Sequence, residues 1–292
     1  KKITKSSLRR LLYGMVFVFW AANVNAQIEF EDVSTATGMT GYTESWGASW
    51  GDMNGDNWPD LFVQGHRSYP RFYRNNGEGA FDDVAYEKDP GNWIAKVFDD
   101  KHGASWVDFD NDGDQDLLIS VSSTGDAQFL VNYNGTFTNR ANDADLQTDD
   151  AARLGVWFDF NNDGHLDVAQ IHIDGVLLRR RDHLDTNETP IDFDSVNPFI
   201  SELFCDGSNL NYAQLLDVNG DGDLDFICGA EGVFPRGAYD YSTSPFTNIT
   251  SSLATVSNVN DTITGDFNND LLKDMVLTRG AIRPSVATLV GD

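Results

Sequence analysis

Five acidic nine-residue segments dominate this chain: DMNGDNWPD at 52–60, DFDNDGDQD at 108–116, DFNNDGHLD at 159–167, DVNGDGDLD at 217–225 and DFNNDLLKD at 266–274. Their first Asp residues are 56, 51, 58 and 49 positions apart. A repeat of about 50 residues with short strands fits the blade of a β-propeller better than helical repeats of about 33–47 or leucine-rich repeats of about 20–29. That spacing constrains the fold more than any other feature.

The flanks support the same architecture. Short runs rich in strand formers leave each segment: LFV at 61–63, LLISV at 117–121, VAQIHI at 168–173, FICG at 226–229 and MVL at 275–277. GASWG at 47–51, GASWV at 103–107, LGVWF at 154–158 and YAQLL at 212–216 lead into the first four. Two further strands follow in the first unit (71–86) and the second (127–141), and their pattern weakens in the third (177–194) and fourth (233–250). One unit is therefore predicted to be strand, acidic loop, strand, turn, strand, turn, strand. The fold class expected is all-β, a β-propeller of four-stranded antiparallel blades.

Carboxylates at alternate positions of a tight loop converge on a point, as a hard cation needing roughly 6–8 oxygen ligands requires. The predicted set in the second loop is Asp108, Asp110, Asp112, the Asp114 carbonyl and Asp116. The others are Asp52, Asn54, Asp56, the Trp58 carbonyl and Asp60; Asp159, Asn161, Asp163, the His165 carbonyl and Asp167; Asp217, Asn219, Asp221, the Asp223 carbonyl and Asp225; and Asp266, Asn268, Asp270, the Leu272 carbonyl and Asp274. Position seven varies among Trp, Asp, His and Leu, as expected where only a carbonyl is used. Position six is predicted to be left-handed; Asn57, Gly113, Gly164 and Gly222 suit that, whereas Leu271 carries a penalty of about 1 kcal/mol and makes the fifth site the weakest.

EF-hands and simple turn preference are the competing explanations. EF-hands need a bidentate Glu at position twelve between helices; position twelve here is Val63, Ile119, Gln170, Cys228 or Leu277, and the flanks are strands. Turn preference accounts for one such loop, but not for five at one spacing. The loops hold 18 of the 46 acidic residues, which repel one another strongly without a cation. Calcium, up to five ions, is the cofactor expected, because magnesium resists dehydration and demands octahedral geometry.

Residues 1–26 read as a secretory signal peptide: a basic start, an apolar run from Leu11 to Val24 too short to span a bilayer, and a small-residue site ending at Ala26. Five basic residues and no acid lie within it, so the formal charge of −26 becomes −31 for the remainder, 27–292. A surface so negative repels nucleic acid and anionic membrane, and no later stretch is apolar enough to span. Two cysteines, Cys205 and Cys228, exclude a disulfide scaffold and a Cys-based zinc site; their pairing is left open.

The GASW strand, the DxDNDGDxD loop and the apolar strand after it resemble the FG-GAP/VCBS repeats of integrin α-subunit propellers and many secreted bacterial proteins. IEFEDVSTATGM at 28–39 with RFYRNNGEGAFDDVA at 71–85 is similar to the cartilage acidic protein family. The resemblance implies seven blades, with four complete here, the fifth interrupted, and the rest beyond Asp292; a five-bladed ring is the alternative. It also implies a secreted calcium-binding module, extracellular, at the cell surface or periplasmic, that recognises or adheres to a protein or glycan. Candidate residues on the face away from the loops are His66, Arg67, Tyr69 and Trp93, each otherwise an ordinary loop residue. A calcium-containing polysaccharide lyase and a structural spacer are the alternatives. The five His residues form no HExxH, and GxSxG and Walker patterns are absent, so no catalytic residue is assigned.

Overall fold

The computed structural model describes residues 31–40, 44–45, 47–66, 68–85, 100–122, 128–144, 146, 151–159, 164–172, 175–181, 193–195, 210–218, 221, 224–230, 233–240, 247–250, 256–257, 259–266, 274–279 and 283–287. The chain divides into Lys1–Val33 and Ser34–Asp292, and the described strands belong to the second unit. The predicted signal peptide lies outside the described residues.

Among the described residues the regular structure is nearly all strand, arranged as antiparallel meanders. The first sheet runs β1 (Ala48–Gly51), β2 (Asp60–Val63), β3 (Arg71–Asn75) and β4 (Phe81–Asp83), paired in that order. The second repeats it with β5 (Lys101–Val107), β6 (Asp116–Val121), β7 (Gln128–Tyr133) and β8 (Thr136–Asn139). The third is β9 (Ala152–Phe158), β10 (Asp167–His172), β11 (Gly175–Arg181) and β12 (Phe193–Ser195).

In the fourth sheet, β13 (Leu210–Leu216), β14 (Asp225–Ala230), β15 (Val233–Asp240) and β16 (Thr247–Asn248) pair in order, and β17 (Val256–Ser257) pairs with the start of β15. The fifth has β18 (Val259–Gly265), β19 (Asp274–Arg279) and β20 (Arg283–Ala287). These sheets are the propeller blades predicted. The fifth, expected to be interrupted, carries a third strand, β20, beyond its hairpin.

The register of the first hairpin is the same in every sheet. Gly51 pairs with Asp60, Val107 with Asp116, Phe158 with Asp167, Leu216 with Asp225 and Gly265 with Asp274. Position nine of each acidic segment is therefore the first residue of a strand, one residue earlier than the apolar runs suggested.

The core lies between successive sheets. Met53, Phe62 and Phe72 of the first pack with Leu117, Ile119, Leu130 and Phe137 of the second. On the opposite face of the second sheet, Leu118, Phe129 and Val131 pack with Val168 of the third. Phe158, Ile171 and Leu178 of the third meet Ala213, Phe226 and Cys228 of the fourth. A strand with both faces covered reads as an unbroken apolar run, and this explains LLISV, in which Leu117 and Ile119 face one cluster and Leu118 the other. Each fully buried Phe or Leu contributes about 1.5–3 kcal/mol.

The first strands of successive sheets, β1, β5, β9, β13 and β18, neighbour one another in that order. Their close approach depends on glycine: a Cβ on Gly51 would fall within 2.4 Å of the Trp106 ring. Trp106 Nε1 donates to the Ser49 carbonyl at 3.1 Å, and one blade on Trp157 Nε1 donates to the hydroxyl of the corresponding serine, Ser105 Oγ, at 3.0 Å. Trp50 holds the equivalent position in the first blade and is 57% exposed.

Candidate metal centres

The geometry of the acidic loops follows from the tight turn between paired strands. Two positions in each described loop have positive φ: Gly55 (71°) and Asn57 (67°) in the first, Asn111 (59°) and Gly113 (96°) in the second. Gly164 of the third is at 87°. Position six was predicted to be left-handed, and Asn57, Gly113 and Gly164 are. Position four was missed, although its signal was present, since Gly or Asn fills it in all five loops.

Successive backbone N–H groups then point inward at the first Asp. Asp52 Oδ1 accepts from Gly55 N at 2.8 Å and Asp56 N at 3.2 Å, and its Oδ2 accepts from Asn57 N at 2.7 Å. Asp108 accepts from Asp112 N and Gly113 N, both at 3.1 Å, and Asp159 Oδ2 accepts from Gly164 N at 2.8 Å. The first Asp thus organises the turn before any ligand is considered.

Position nine has a different role. Asp60, Asp116, Asp167, Asp225 and Asp274 are all buried. Asp116 Oδ2 accepts from Phe109 N at 3.2 Å and Oδ1 from Asn132 N at 2.8 Å, joining the loop to the third strand of its blade. Asp60 does the same with Met53 N and Asn75 N, and Asp225 accepts from Val218 N. Burial pushes the Asp116 carboxyl up to about 7 against the opposing effect of these two bonds, and Asp110 and Asp112 add to the rise. Burial raises Asp60 likewise.

In the second loop Asp108, Asp110 and Asp116 offer oxygens within 4.8 Å of one another. Asp112 lies outside that group of three, and its Oδ1 accepts from Asp114 N at 2.8 Å. In the first loop, Asn54 Nδ2 donates to Asp56 Oδ2 at 2.8 Å, and Asp52, Asp56 and Asp60 form no comparable group among the described residues. Adjacent loops are tied together: Gln115 Oε1 accepts from Asp52 N at 2.6 Å, and Asn132 Nδ2 donates to the Met53 and Gln115 carbonyls.

Position seven uses its side chain. Asp114 Oδ2 accepts from Asn134 N at 2.6 Å in the β7–β8 turn, and the Trp58 indole lies over Gly77 in the β3–β4 turn. Each reaches the outer hairpin of its own blade. Asp159, His165, Asp167, Asp217, Asp221, Asp225, Asp266 and Asp274 are described, whereas Asn161, Asp163, Asn219, Gly222, Asp223, Asn268, Asp270, Leu271 and Leu272 lie outside the described residues. Of the residues expected on the other face, Tyr69 is 45% exposed and His66 is buried, while Arg67 and Trp93 fall outside the description. Cys228 is buried and disulfide-bonded.

The donor set of the second loop fits a hard cation: three carboxylates, clustered and partly buried. Residues 52–119 and 108–169 match the FG-GAP-like repeat family, each match running from one acidic loop through the next. Among solved structures, an Agrocybe aegerita lectin that recognises non-reducing terminal N-acetylglucosamine is 18% identical with a TM-score of 0.49, over 80% of this chain and 61% of that one. A structure of BBS1N in complex with ARL6DN, soaked with lead, is 11% identical with a TM-score of 0.42, over 80% of this chain and 76% of that one. The chain thus spans about three fifths of the lectin's length. No curated protein gives a significant sequence match.

Proposed function

We propose that this propeller of FG-GAP-like repeats is a secreted calcium-binding module that presents its other face to an extracellular protein or glycan. One observation carries the calcium assignment: Asp108, Asp110 and Asp116 converge in a loop whose N–H groups already hold Asp108 in place. Three carboxylates so close repel one another, and a divalent ion reverses the sign of that interaction. Asp112 and the Asp114 carbonyl are the further donors within the same turn. Bound there, calcium would supply charge neutralisation and pin the hairpin that joins the first two strands of the blade.

Export is supported by the leader pattern in 1–26 and by the disulfide at Cys228, since such bonds persist in oxidising compartments. The recognition role rests on the FG-GAP-like match and on the placement of variable loops upon a rigid sheet scaffold. Tyr69, in the segment between β2 and β3, is the exposed candidate on that side among the described residues.

The test is a calcium titration of the chelated protein followed by melting and calorimetry. Binding with a rise in melting temperature is expected, because a ligand held only by the folded state stabilises it by mass action. An unchanged melting temperature at saturating calcium would overturn the assignment. Glycan and protein arrays probed with calcium-loaded protein test recognition separately, and an absence of hits would leave a structural spacer.

A further inference from the structure

A second cluster of ligand-type side chains stands away from the acidic loops. His66 follows β2, Asp100 immediately precedes β5, and His102 lies within β5; the backbones of His66 and Asp100 form an isolated antiparallel bridge between the first and second blades. We propose that His66, Asp100 and His102 form a binding site for a transition-metal ion of the zinc class, chemically distinct from the calcium loops.

Geometry is the first support. His66 Nε2 lies 2.5 Å and His102 Nε2 3.1 Å from the same oxygen, Asp100 Oδ1, and one donor atom from each residue lies within 4.8 Å of the others. Two imidazole nitrogens and one carboxylate oxygen suit zinc, cobalt, nickel or copper, and leave coordination positions open for water. Calcium, which takes oxygen ligands, is the wrong ion for this set. The cluster is sheltered, with His66 only 8% exposed.

A carboxylate behind His66 is the second support. His66 Nδ1 lies 3.2 Å from Glu44 Oε1, while Nε2 faces Asp100. In the metal arrangement Glu44 would accept from Nδ1–H and fix the ring, the carboxylate–histidine–metal relation found around bound zinc. A simple interblade hydrogen-bond cluster is the competing account.

Arg153 opposes binding. Its Nη1 lies 2.7 Å from His102 Nδ1 and 2.8 Å from Nε2, so an arriving ion must displace the guanidinium and overcome its charge. This makes Arg153 a diagnostic position: Arg153→Gln should tighten metal binding, whereas in a purely hydrogen-bonded cluster it would only loosen the packing.

The test is titration of the full chain, saturated with calcium, with Co²⁺ followed by visible absorption and with Zn²⁺ followed by calorimetry. One equivalent is expected, with a cobalt ligand-field band that zinc displaces. His66→Gln and His102→Gln should abolish the band, Glu44→Gln should weaken binding by about tenfold or more, and Arg153→Gln should strengthen it. Asp100→Asn is the milder substitution should either His variant fail to fold, and it too should lose the band. No cobalt band and no zinc heat in the calcium-saturated protein would overturn the proposal, as would a band that survives Asp100→Asn.

Discussion

The first and second acidic loops share one backbone and differ in what their third residue does. Asn54 spends its amide on Asp56, whereas Asp110 brings a third carboxylate to Asp108 and Asp116. Both loops have left-handed residues at positions four and six, both gather N–H groups on the first Asp, and both bury the ninth. The turn is therefore built by the shared residues, and the charge density at its centre is set by the variable one. Folding and ion binding use overlapping but separable parts of the same nine residues.

That separation can be broken most severely at position nine. Asp116→Ala should destabilise the protein by about 3 kcal/mol or more, because Phe109 N and Asn132 N lose their acceptor in a buried setting. The loss should persist in chelator, and thermal or denaturant unfolding would show it. A loss seen only with calcium present would mean that Asp116 is purely a ligand.

Exchange of the third residue comes next. Asp110→Asn should weaken calcium binding at the second loop by about tenfold, with little change in chelated stability, and Asn54→Asp should strengthen the first loop; calorimetry on both variants decides whether position three sets affinity.

Acidity gives a smaller effect with a definite sign. The folded state raises Asp116 from 3.8 to about 7, so it binds this proton more tightly than the unfolded chain does. Its contribution to metal-free stability is therefore complete below about pH 4 and is lost as pH rises through about 7. Calcium competes for the same carboxylate, so its affinity should climb across that window. Melting curves at several pH values in chelator and in calcium should diverge towards neutral pH, and Asp116→Asn should flatten the chelated series.

The smallest change is expected at position seven. Asp114→Ala should keep the calcium site and cost about 1 kcal/mol, the bond to Asn134 N being the interaction lost.

Much of the blade could be read from sequence because period-two apolar runs and turn residues carry local information. The strands around 71–86 and 127–141, the five hairpins and the left-handed position six all depend on neighbours in the chain. Position nine was assigned as a ligand without its second role, since nothing in DxDNDGDxD reveals that Asp116 reaches Asn132 in another strand. Asp112 has the same alternating spacing yet lies outside the group of three, and the local bond from Asp114 N to one of its oxygens is not legible in the pattern. His66 and His102 lie 36 residues apart and match no motif; only the pairing of β2's extension with the start of β5 brings them together. The third strand of the fifth blade escaped notice because RPSVA carries a proline and little alternation.

The placement of the core between blades has a consequence for how the molecule comes apart. A blade removed from its neighbours exposes two faces of Phe, Leu and Val and has little interior of its own, so cooperativity should run from sheet to sheet like dominoes standing in a row. Amides of β6, covered on both sides, should exchange most slowly, and those of β1, whose Trp50 lies open, among the fastest. Damage at Phe129 would then be felt in the second and third blades together, whereas damage at the rim would stay where it fell.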